Sequence, residues 1–355
     1  MPIMSSDPPA KKKAKSSSTV PAKRPAGLPN KDEVDCFINS FVQVLAVCPG
    51  LGDHFLGKKD KPWTGDAIHN LAVETGKVIY KLYTRAESED DEDFRCFPPE
   101  TFQTFLDTVS MVQNLTEFTS NLASADEAND ERHDQHDVAN FIEQFLTYGL
   151  SDEVVGGKKK VTLKCQACKT ERTSEDGTMF RILHAHFKEG GSGRSTLIKR
   201  LEHSCERSVT EGVVCPHCSK VAGHEVHQDH EVLEKLRELP RVLIVQLVRH
   251  DFEALEERKN DSEVVCPLHL DLESIFDDPN RESESETTYR LFGVINHEGA
   301  DCSSGHNTAD ICFLDKWYDC NDEIVTQYEG GFAVKKKEVY VLAYRRNDVE
   351  ALTSF

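Results

Sequence analysis

The chain has 355 residues, of which 62 are acidic and 42 are basic, and its formal net charge is −20. Hydrophobic residues make up 38% of it and charged residues 29%, a balance typical of a soluble globular protein. No apolar run reaches the roughly 18 residues that a membrane-spanning helix needs, and the N-terminus lacks the apolar core of a secretory signal. These features predict an intracellular protein, in the nucleus, the cytoplasm or both, with no membrane partner.

The negative charge also bears on partners and on the cysteines. It argues against broad nucleic-acid binding through the folded body, because acidic groups repel the phosphate backbone. Two interpretations stay open: the charge attracts a basic partner or substrate, or it only keeps the surface solvated. In a reducing compartment, the twelve cysteines favour metal binding and catalysis over disulfide bonds.

Residues 1–26 form a tail rich in Pro, Lys, Ser and Ala, with few large apolar side chains. Such a segment cannot bury enough apolar surface to offset the entropy of ordering the chain, so we predict that it is disordered. Its basic clusters at 11–15 and 23–24 fit either a nuclear address or a merely solvated tail. The globular part is predicted to cover residues 27–355.

The first 150 residues are predicted to be mainly helical. In the first helix Ile38, Phe41, Val42 and Leu45 recur at steps of three and four residues, which places them on one helix face. The same periodicity appears in the later segments of this part. The predicted helices cover residues 37–47, 66–83, 100–109 and 138–146.

Beyond residue 156 the pattern changes to strands. The segment 242–248 is a nearly continuous apolar run of strand length, which is typical of a strand buried on both faces. The order is thus a helical part, a strand region rich in cysteine, and an antiparallel sheet, which is an α+β fold. The predicted strands cover residues 161–163, 180–183, 242–248, 289–295, 310–314 and 339–344.

Cys36 begins the first predicted helix. Unpaired backbone amides and the helix dipole favour a thiolate at this end of a helix, whereas the neighbouring carboxylate of Asp35 opposes it. By itself such a cysteine fits a buried structural residue better than a nucleophile.

His306 changes this interpretation. It follows Gly305 and precedes a predicted strand, which returns at Trp317. The hairpin would bring Asn321 or Asp322 next to His306, where either side chain can bond one ring nitrogen and leave the other for a thiol. The sequence therefore predicts a cysteine nucleophile activated by histidine.

Two Cys-x-x-Cys pairs form a second group of candidate residues. Such pairs close a tetrahedral thiolate site around zinc, and a site of four cysteines is structural because it keeps no open position. Four free thiols in a decayed site are the alternative. The predicted ligands are Cys165, Cys168, Cys215 and Cys218, with Cys205 and His217 as spare candidates.

Five segments together resemble the ubiquitin-specific proteases, the papain-like class of deubiquitinating enzymes. The first contains Cys36, Asn39 and Gln43, and the second contains Gln135 and Asp137. Each segment is a weak signal alone, but all five occur in the family's order and spacing over residues 27–346. They lie at residues 27–43, 135–146, 239–249, 289–306 and 339–346.

This resemblance implies a papain-like cysteine peptidase fold with thumb, palm and fingers subdomains. The thumb would cover residues 27–150, the zinc-bearing fingers 151–238, and the palm mainly 239–355. Cys36 would be the nucleophile on the thumb, and His306 the base on the palm.

The resemblance also implies roles for other residues. Asn321 would be the third catalytic residue, with Asp322 as the runner-up, and Asn30 would donate a hydrogen bond to the oxyanion. Gln135 and Asp137 would bind the C-terminal tail of ubiquitin.

The sequence departs from the family pattern in several places. The loop between Asn30 and Cys36 is one residue longer than in the family and lacks its glycine. Asn140 replaces a usual Glu, Asn307 replaces the aromatic residue after the histidine, and His250 replaces a Phe.

The function implied by the resemblance is hydrolysis of the peptide or isopeptide bond at the ubiquitin C-terminus, through a thioester intermediate. The implied partners are ubiquitin and ubiquitinated proteins, with the enzyme as a monomer, and structural zinc is the implied cofactor, with none in catalysis. The departures leave an alternative open, a catalytically weak or inactive ubiquitin-binding scaffold on the same fold.

Overall fold

The computed structural model describes residues 19–21, 24–31, 33–86, 97–115, 137–147, 152–174, 176–187, 194–249, 259–277, 286–299 and 305–350. Gln135 and His250 lie outside these residues. Within them, no helix is both long and apolar enough to cross a membrane.

Helices dominate the first part of the described chain. All four predicted helices are confirmed, and the third continues past its predicted end at residue 109 to Leu115. The helices are α1 Cys36–Ala46, α2 Leu51–Leu56, α3 Ala67–Tyr83, α4 Pro99–Leu115, α5 Val138–Thr147, α6 Asp152–Val155, α7 Leu197–Ser204 and α8 Pro216–Ala222.

Strands dominate the rest, as predicted. Val242–Val248 has the predicted bounds, and its side chains alternate between two apolar clusters on opposite faces of the sheet. The strands are β1 Thr19–Pro21, β2 Thr84–Ala86, β3 Gly157–Cys165, β4 Glu171–Thr173, β5 Thr178–Phe180, β6 Ile182–His186, β7 Ser195–Thr196, β8 Ser208–Val214, β9 His227–Glu238, β10 Val242–Val248, β11 Val264–Val265, β12 His269–Asp271, β13 Thr288–Glu298, β14 His306–Phe313, β15 Lys316–Asn321, β16 Ile324–Gln327 and β17 Val339–Arg346.

Two larger sheets organise these strands. One has eight strands in the order β16-β15-β14-β13-β17-β10-β6, with β12 on β13. Its pairings are antiparallel except for the parallel pair of β10 and β6. The other has five strands in the order β4-β3-β9-β8, with β5 on β3, and it carries the Cys-x-x-Cys pairs.

The segment predicted as one strand at residues 180–183 is two strands in different sheets. β5 ends at Phe180, whose ring lies so close to Gly157 of β3 that a Cβ there would approach it to 2.4 Å. Arg181 then leaves the sheet and bonds Asp152 at 2.8 Å. β6 begins at Ile182 and pairs with β10, so the range 151–238 contributes to both sheets.

The tail predicted to be disordered contains a short strand. Thr19–Pro21 pairs antiparallel with Thr84–Ala86, and Ala26 is buried against the folded body. Backbone pairing after α3 therefore orders a segment that its composition alone assigns to a disordered tail.

Helix α1 is the central element that positions the candidate nucleophile. All of its residues are buried, as expected for a helix between two apolar layers. Phe37 and Phe41 pack edge to face on Phe141 of α5, with ring centroids 5.3 and 5.6 Å apart. Towards the large sheet, Val44 fills the space over Gly293 of β13, where a Cβ would lie 2.7 Å from a Val44 methyl carbon.

Candidate active site

Cys36 is the first residue of α1 and is fully buried. The first turn of this helix carries no acidic side chain. The Asp35 side chain makes no capping hydrogen bond to the helix. The structure thus confirms the predicted position of the thiol at the positive end of a helix dipole.

His306 meets this thiol from the large sheet. It is the first residue of β14, and its side chain is about 38% exposed. Asn321 Oδ1 lies 2.8 Å from His306 Nε2. Cys36 is the second hydrogen-bond partner that shifts the pKa of the ring. The pKa of His306 is raised to about 9: the hydrogen bond with Cys36 is the largest cause, burial lowers the pKa, and the hydrogen bond to Asn321 Oδ1 raises it.

The two candidates for the third residue have different surroundings. Asp322 Oδ2 lies 3.9 Å from His306 Nε2, too far for a hydrogen bond. Its carboxylate instead accepts hydrogen bonds from the amides of Asn30 and Asn39, at 2.9 and 2.7 Å. Of the two candidates, Asn321 is therefore the residue that hydrogen-bonds the imidazole of His306.

Asp322 joins the segment before Cys36 to the hairpin after His306. Its backbone carbonyl accepts a hydrogen bond from the amide of Leu28 at 2.8 Å, in addition to the two side-chain bonds. The residue has a positive φ of 48°, a conformation that Asp and Asn tolerate better than most residues. Sequence reasoning did not find this linking role, because nothing local to residues 28–39 indicates a partner near residue 322.

Asn30 is fixed on both sides of its amide. Its Oδ1 accepts a hydrogen bond from the backbone of Asp35 at 3.0 Å, and its Nδ2 donates to Asp322. Asn30 therefore links Asp35, at the other end of the lengthened loop, to the turn that follows β15.

Asn307 also contacts the nucleophile, which the sequence did not predict. Its Nδ2 lies 3.7 Å from Cys36 Sγ, and its side chain is buried. The only sequence signal was a polar residue at an aromatic position of the family pattern.

Asp137 lies at the start of α5 and has a partner on each carboxylate oxygen. One oxygen accepts a hydrogen bond from the backbone amide of Asn140 at 2.9 Å. The other accepts one from the hydroxyl of Tyr340 on β17, which in turn accepts from Gln246 at 2.9 Å. The carboxylate is thus fixed between the helical part and the large sheet.

The predicted metal ligands come together, and we call them the cysteine tetrad: Cys165, Cys168, Cys215 and Cys218. Their sulfur atoms all lie within 4.8 Å of one another, and Cys205 and His217 are not among them. Two of the sulfur pairs are 3.9 and 3.6 Å apart. A tetrahedral site with Zn–S bonds of about 2.3 Å has edges of about 3.8 Å, so the residues fit a zinc ion.

The turns that carry the tetrad share one geometry. In each, the amide of the residue after the second cysteine donates to the carbonyl of the first, Lys169 to Cys165 and Ser219 to Cys215, both at 2.9 Å. Each turn therefore folds its two sulfurs towards one point between β3 and α8.

Comparisons with known proteins agree with this geometry. A sequence profile described as ubiquitin carboxyl-terminal hydrolase matches residues 26–344. Ubiquitin carboxyl-terminal hydrolase 51 of Mus musculus is 25% identical over 355 aligned residues, which cover 89% of this chain and 50% of that protein. Ubiquitin carboxyl-terminal hydrolase nonstop of Drosophila melanogaster is 27% identical over 204 residues, or 57% of this chain and 40% of that protein. The chain thus spans about half of these relatives or less.

Solved structures show the fold. The SAGA Ubp8/Sgf11/Sus1/Sgf73 DUB module bound to ubiquitin aldehyde superposes with a TM-score of 0.67 at 18% identity, over 93% of this chain and 72% of that chain. The module bound to monoubiquitin gives 0.69 at 17% identity, over 95% and 73%. This similarity confirms the predicted papain-like fold.

Proposed function

Since the chain belongs to the ubiquitin carboxyl-terminal hydrolase family, as a ubiquitin-specific protease, we propose that it is a thiol-dependent deubiquitinase. It would hydrolyse the peptide or isopeptide bond that follows the ubiquitin C-terminus. The observation that carries this proposal is the meeting of three side chains: Asn321 Oδ1 lies 2.8 Å from His306 Nε2, and Cys36, buried at the start of α1, is the partner that most raises the pKa of His306.

The reaction follows from the proton that His306 can accept and return. The imidazole takes the proton of the Cys36 thiol, and the sulfur attacks the carbonyl carbon of the last ubiquitin glycine. The tetrahedral intermediate breaks its bond to the lysine nitrogen, which takes the proton from His306 and departs as an amine. A water molecule, deprotonated by His306, then attacks the thioester, and Cys36 leaves with the proton that His306 returns.

We assign the orientation of the base to Asn321 and the assembly of the site to Asp322. The shorter distance to the ring, 2.8 Å against 3.9 Å, supports the first assignment. The two amide bonds of Asp322 support the second, because they hold the segments on either side of Cys36.

Asn30 would keep the role of oxyanion donor. An amide nitrogen carries two hydrogens, and Asp322 accepts one of them, so one remains for the developing oxyanion. The bonds to Asp322 and Asp35 fix the plane of the amide in advance, as electrostatic stabilisation of a transition state requires.

Ubiquitin is the proposed partner, and its C-terminal tail would lie near Asp137. Both structural neighbours hold ubiquitin or its aldehyde, which supports this proposal. Asp137 is fixed by Tyr340 and by the backbone of α5, so its charge is already oriented for a basic tail. Three expectations stay predictions from the sequence: that Gln135 binds the ubiquitin tail, that the protein is a monomer, and that it lies in the nucleus, the cytoplasm or both.

We further infer that the cysteine tetrad holds one structural zinc ion. The four sulfurs and their matching turns support this ion, and a site closed by four thiolates keeps no position for a substrate. A bound zinc would fasten the tips of β3 and β8, where the exposed strands of the smaller sheet bury few side chains.

The test uses a fluorogenic substrate linked to the ubiquitin C-terminus, and a ubiquitin probe with a C-terminal electrophile. The wild-type protein is expected to release the fluorophore and to form a covalent adduct, whereas Cys36→Ala does neither. Cys48→Ala is the matched control, because Cys48 lies just beyond α1 and its burial raises the pKa of its thiol far above the ordinary value. Equal hydrolysis by wild type and Cys36→Ala would reject the mechanism, and probe binding without an adduct would support the scaffold alternative.

A further inference from the structure

We propose that Asn307 is a further catalytic residue, which donates an amide hydrogen bond to the Cys36 sulfur and stabilises its thiolate. This inference deepens the proposed function and rests on it for the role of the thiol. The observation behind it is the distance of 3.7 Å between Asn307 Nδ2 and Cys36 Sγ, from a side chain that is only 7% exposed.

The fold itself places Asn307 next to the Cys36 sulfur. Asn307 follows His306 in β14, and α1 packs across this strand. Its backbone is held by pairing with His297 of β13, which fixes the point from which the side chain extends towards the sulfur. The sulfur is thus contacted by two consecutive residues of one strand, a titratable base and a neutral donor.

The Asn307 amide is buried although one of its polar atoms lacks a partner, and a negatively charged sulfur next to it gives a reason for its burial. Asn307 Oδ1 is buried and has no hydrogen-bond partner within the residues that the structure describes. A buried polar atom without a partner is unfavourable, and an apolar side chain would avoid that loss. The amide nitrogen gains a strong partner only when the sulfur is ionised, because hydrogen bonds to charged acceptors are about twice as strong as neutral ones.

The other charges around the sulfur leave a role for such a donor. Asp35 precedes Cys36 in the chain, and a neighbouring carboxylate disfavours a negative charge on the sulfur, whereas protonated His306 favours it. During the reaction His306 gives its proton to the leaving amine, and its positive charge is lost. Asn307 keeps its N–H bond throughout, so it stabilises the sulfur both before attack and when the thioester breaks.

The test measures the reactivity of Cys36 without ubiquitin. The 355-residue protein is alkylated with iodoacetamide between pH 4 and 10, and mass spectrometry of the Cys36 peptide gives the rate. Asn307→Leu keeps the approximate volume and removes the donor, and Asn307→Asp replaces the donor with a negative charge. Thr308→Val is the matched control, since Thr308 is buried next in the strand and its hydroxyl has no hydrogen-bond partner in the described part of the chain.

We expect Asn307→Leu to lower the alkylation rate at pH 7 about tenfold, and to raise the midpoint of the rate against pH by about one unit. Asn307→Asp should lower the rate further, and Thr308→Val should leave rate and midpoint unchanged. Ubiquitin affinity, measured for Asn307→Leu on a Cys36→Ala background, should equal that of Cys36→Ala, which shows that the site is still folded.

An unchanged midpoint in a folded Asn307→Leu protein would overturn the proposal. An equal loss in Thr308→Val would do the same, because the effect would then come from packing. Since no ubiquitin is involved, a wild-type protein that fails to cleave ubiquitin rejects the proposed function and leaves the result on Asn307 standing.

Discussion

Alanine at Asn321 should lower catalysis and leave stability nearly unchanged, whereas alanine at Asp322 should mainly lower stability. Asn321→Ala removes a hydrogen bond of 2.8 Å to His306, which is charged for part of the reaction cycle. A hydrogen bond to a charged group contributes about 1.5–3 kcal/mol, so we expect kcat/KM to fall about 10- to 150-fold. The side chain of Asn321 is exposed, and the free energy of unfolding should therefore change little.

Asp322→Ala should act mainly on stability. The change removes the acceptor of the two amide bonds from Asn30 and Asn39, in a side chain that is 16% exposed. Two charge-assisted bonds with partial solvent access correspond to about 2–4 kcal/mol of unfolding free energy. Alanine also tolerates the positive φ of 48° less well than aspartate does, which adds to the loss.

Urea denaturation and hydrolysis of the fluorogenic ubiquitin substrate measure the two effects. Asp319→Ala is the matched control, because Asp319 lies on β15 three residues before Asp322, and its ion pair with Lys335, at 3.4 Å, is partly exposed. A less than twofold loss of kcat/KM in Asn321→Ala would refute the reasoning. So would an Asp322→Ala protein that is as stable as wild type and yet loses more activity than Asn321→Ala.

Three further predictions concern pH, metal and packing. The hydrogen bond with Cys36 is the main reason that the pKa of His306 is raised to about 9. Above about pH 9 His306 should lose the proton that it gives to the leaving amine, so kcat/KM should decline there. Asn321→Ala removes a bond that raises this pKa, so the decline in this variant should begin at lower pH. Metal analysis should find one zinc ion per chain, and a chelator should remove it and lower the melting temperature. Gly293→Ala should destabilise the fold by about 1–3 kcal/mol, because the new Cβ would lie 2.7 Å from a Val44 methyl carbon, and Val44→Ala should restore much of the loss.

Each of these predictions has a result that contradicts it. The pH prediction is contradicted if the alkaline decline of kcat/KM lies at the same pH in Asn321→Ala as in the wild type. For metal, it is a purified protein without zinc, or a chelator that leaves the melting curve unchanged; a Cys205→Ser protein should keep its zinc, because Cys205 is outside the tetrad. For packing, it is a Gly293→Ala/Val44→Ala protein whose destabilisation equals the sum of the single changes, since residues in contact should be coupled.

Much of the fold could be predicted because its elements carry local signals. The apolar run at residues 242–248 gives β10 its bounds, and the periodic apolar residues after Cys36 give α1. The cysteine tetrad could be predicted for a similar reason, since the spacing within each Cys-x-x-Cys pair already fits one metal. The sequence pattern gave wrong predictions where the structure depends on which strands pair. Residues 180–183 were predicted as one strand but belong to β5 and β6, and β1 was predicted as part of a disordered tail.

The candidate site shows the same division. Cys36 and His306 could be found from their chemistry and their neighbours in sequence. The choice between Asn321 and Asp322 could not, because it depends on the tight turn between β15 and β16, which directs adjacent side chains to different partners. The contact of Asn307 with the sulfur depends on how α1 crosses β14, a relation between segments 271 residues apart.

The link between Asn30 and Asp322 also has a consequence for how the protein is made. These residues are 292 positions apart, so the contact that closes the site joins two segments that are synthesised at different times. Contacts of such long sequence separation form late, because the entropy of closing the loop must be overcome first. While the ribosome is still synthesising the second half, Cys36 therefore has neither base nor anchored loop. A nascent chain should therefore have no protease activity until β14 and β15 have emerged from the ribosome and docked.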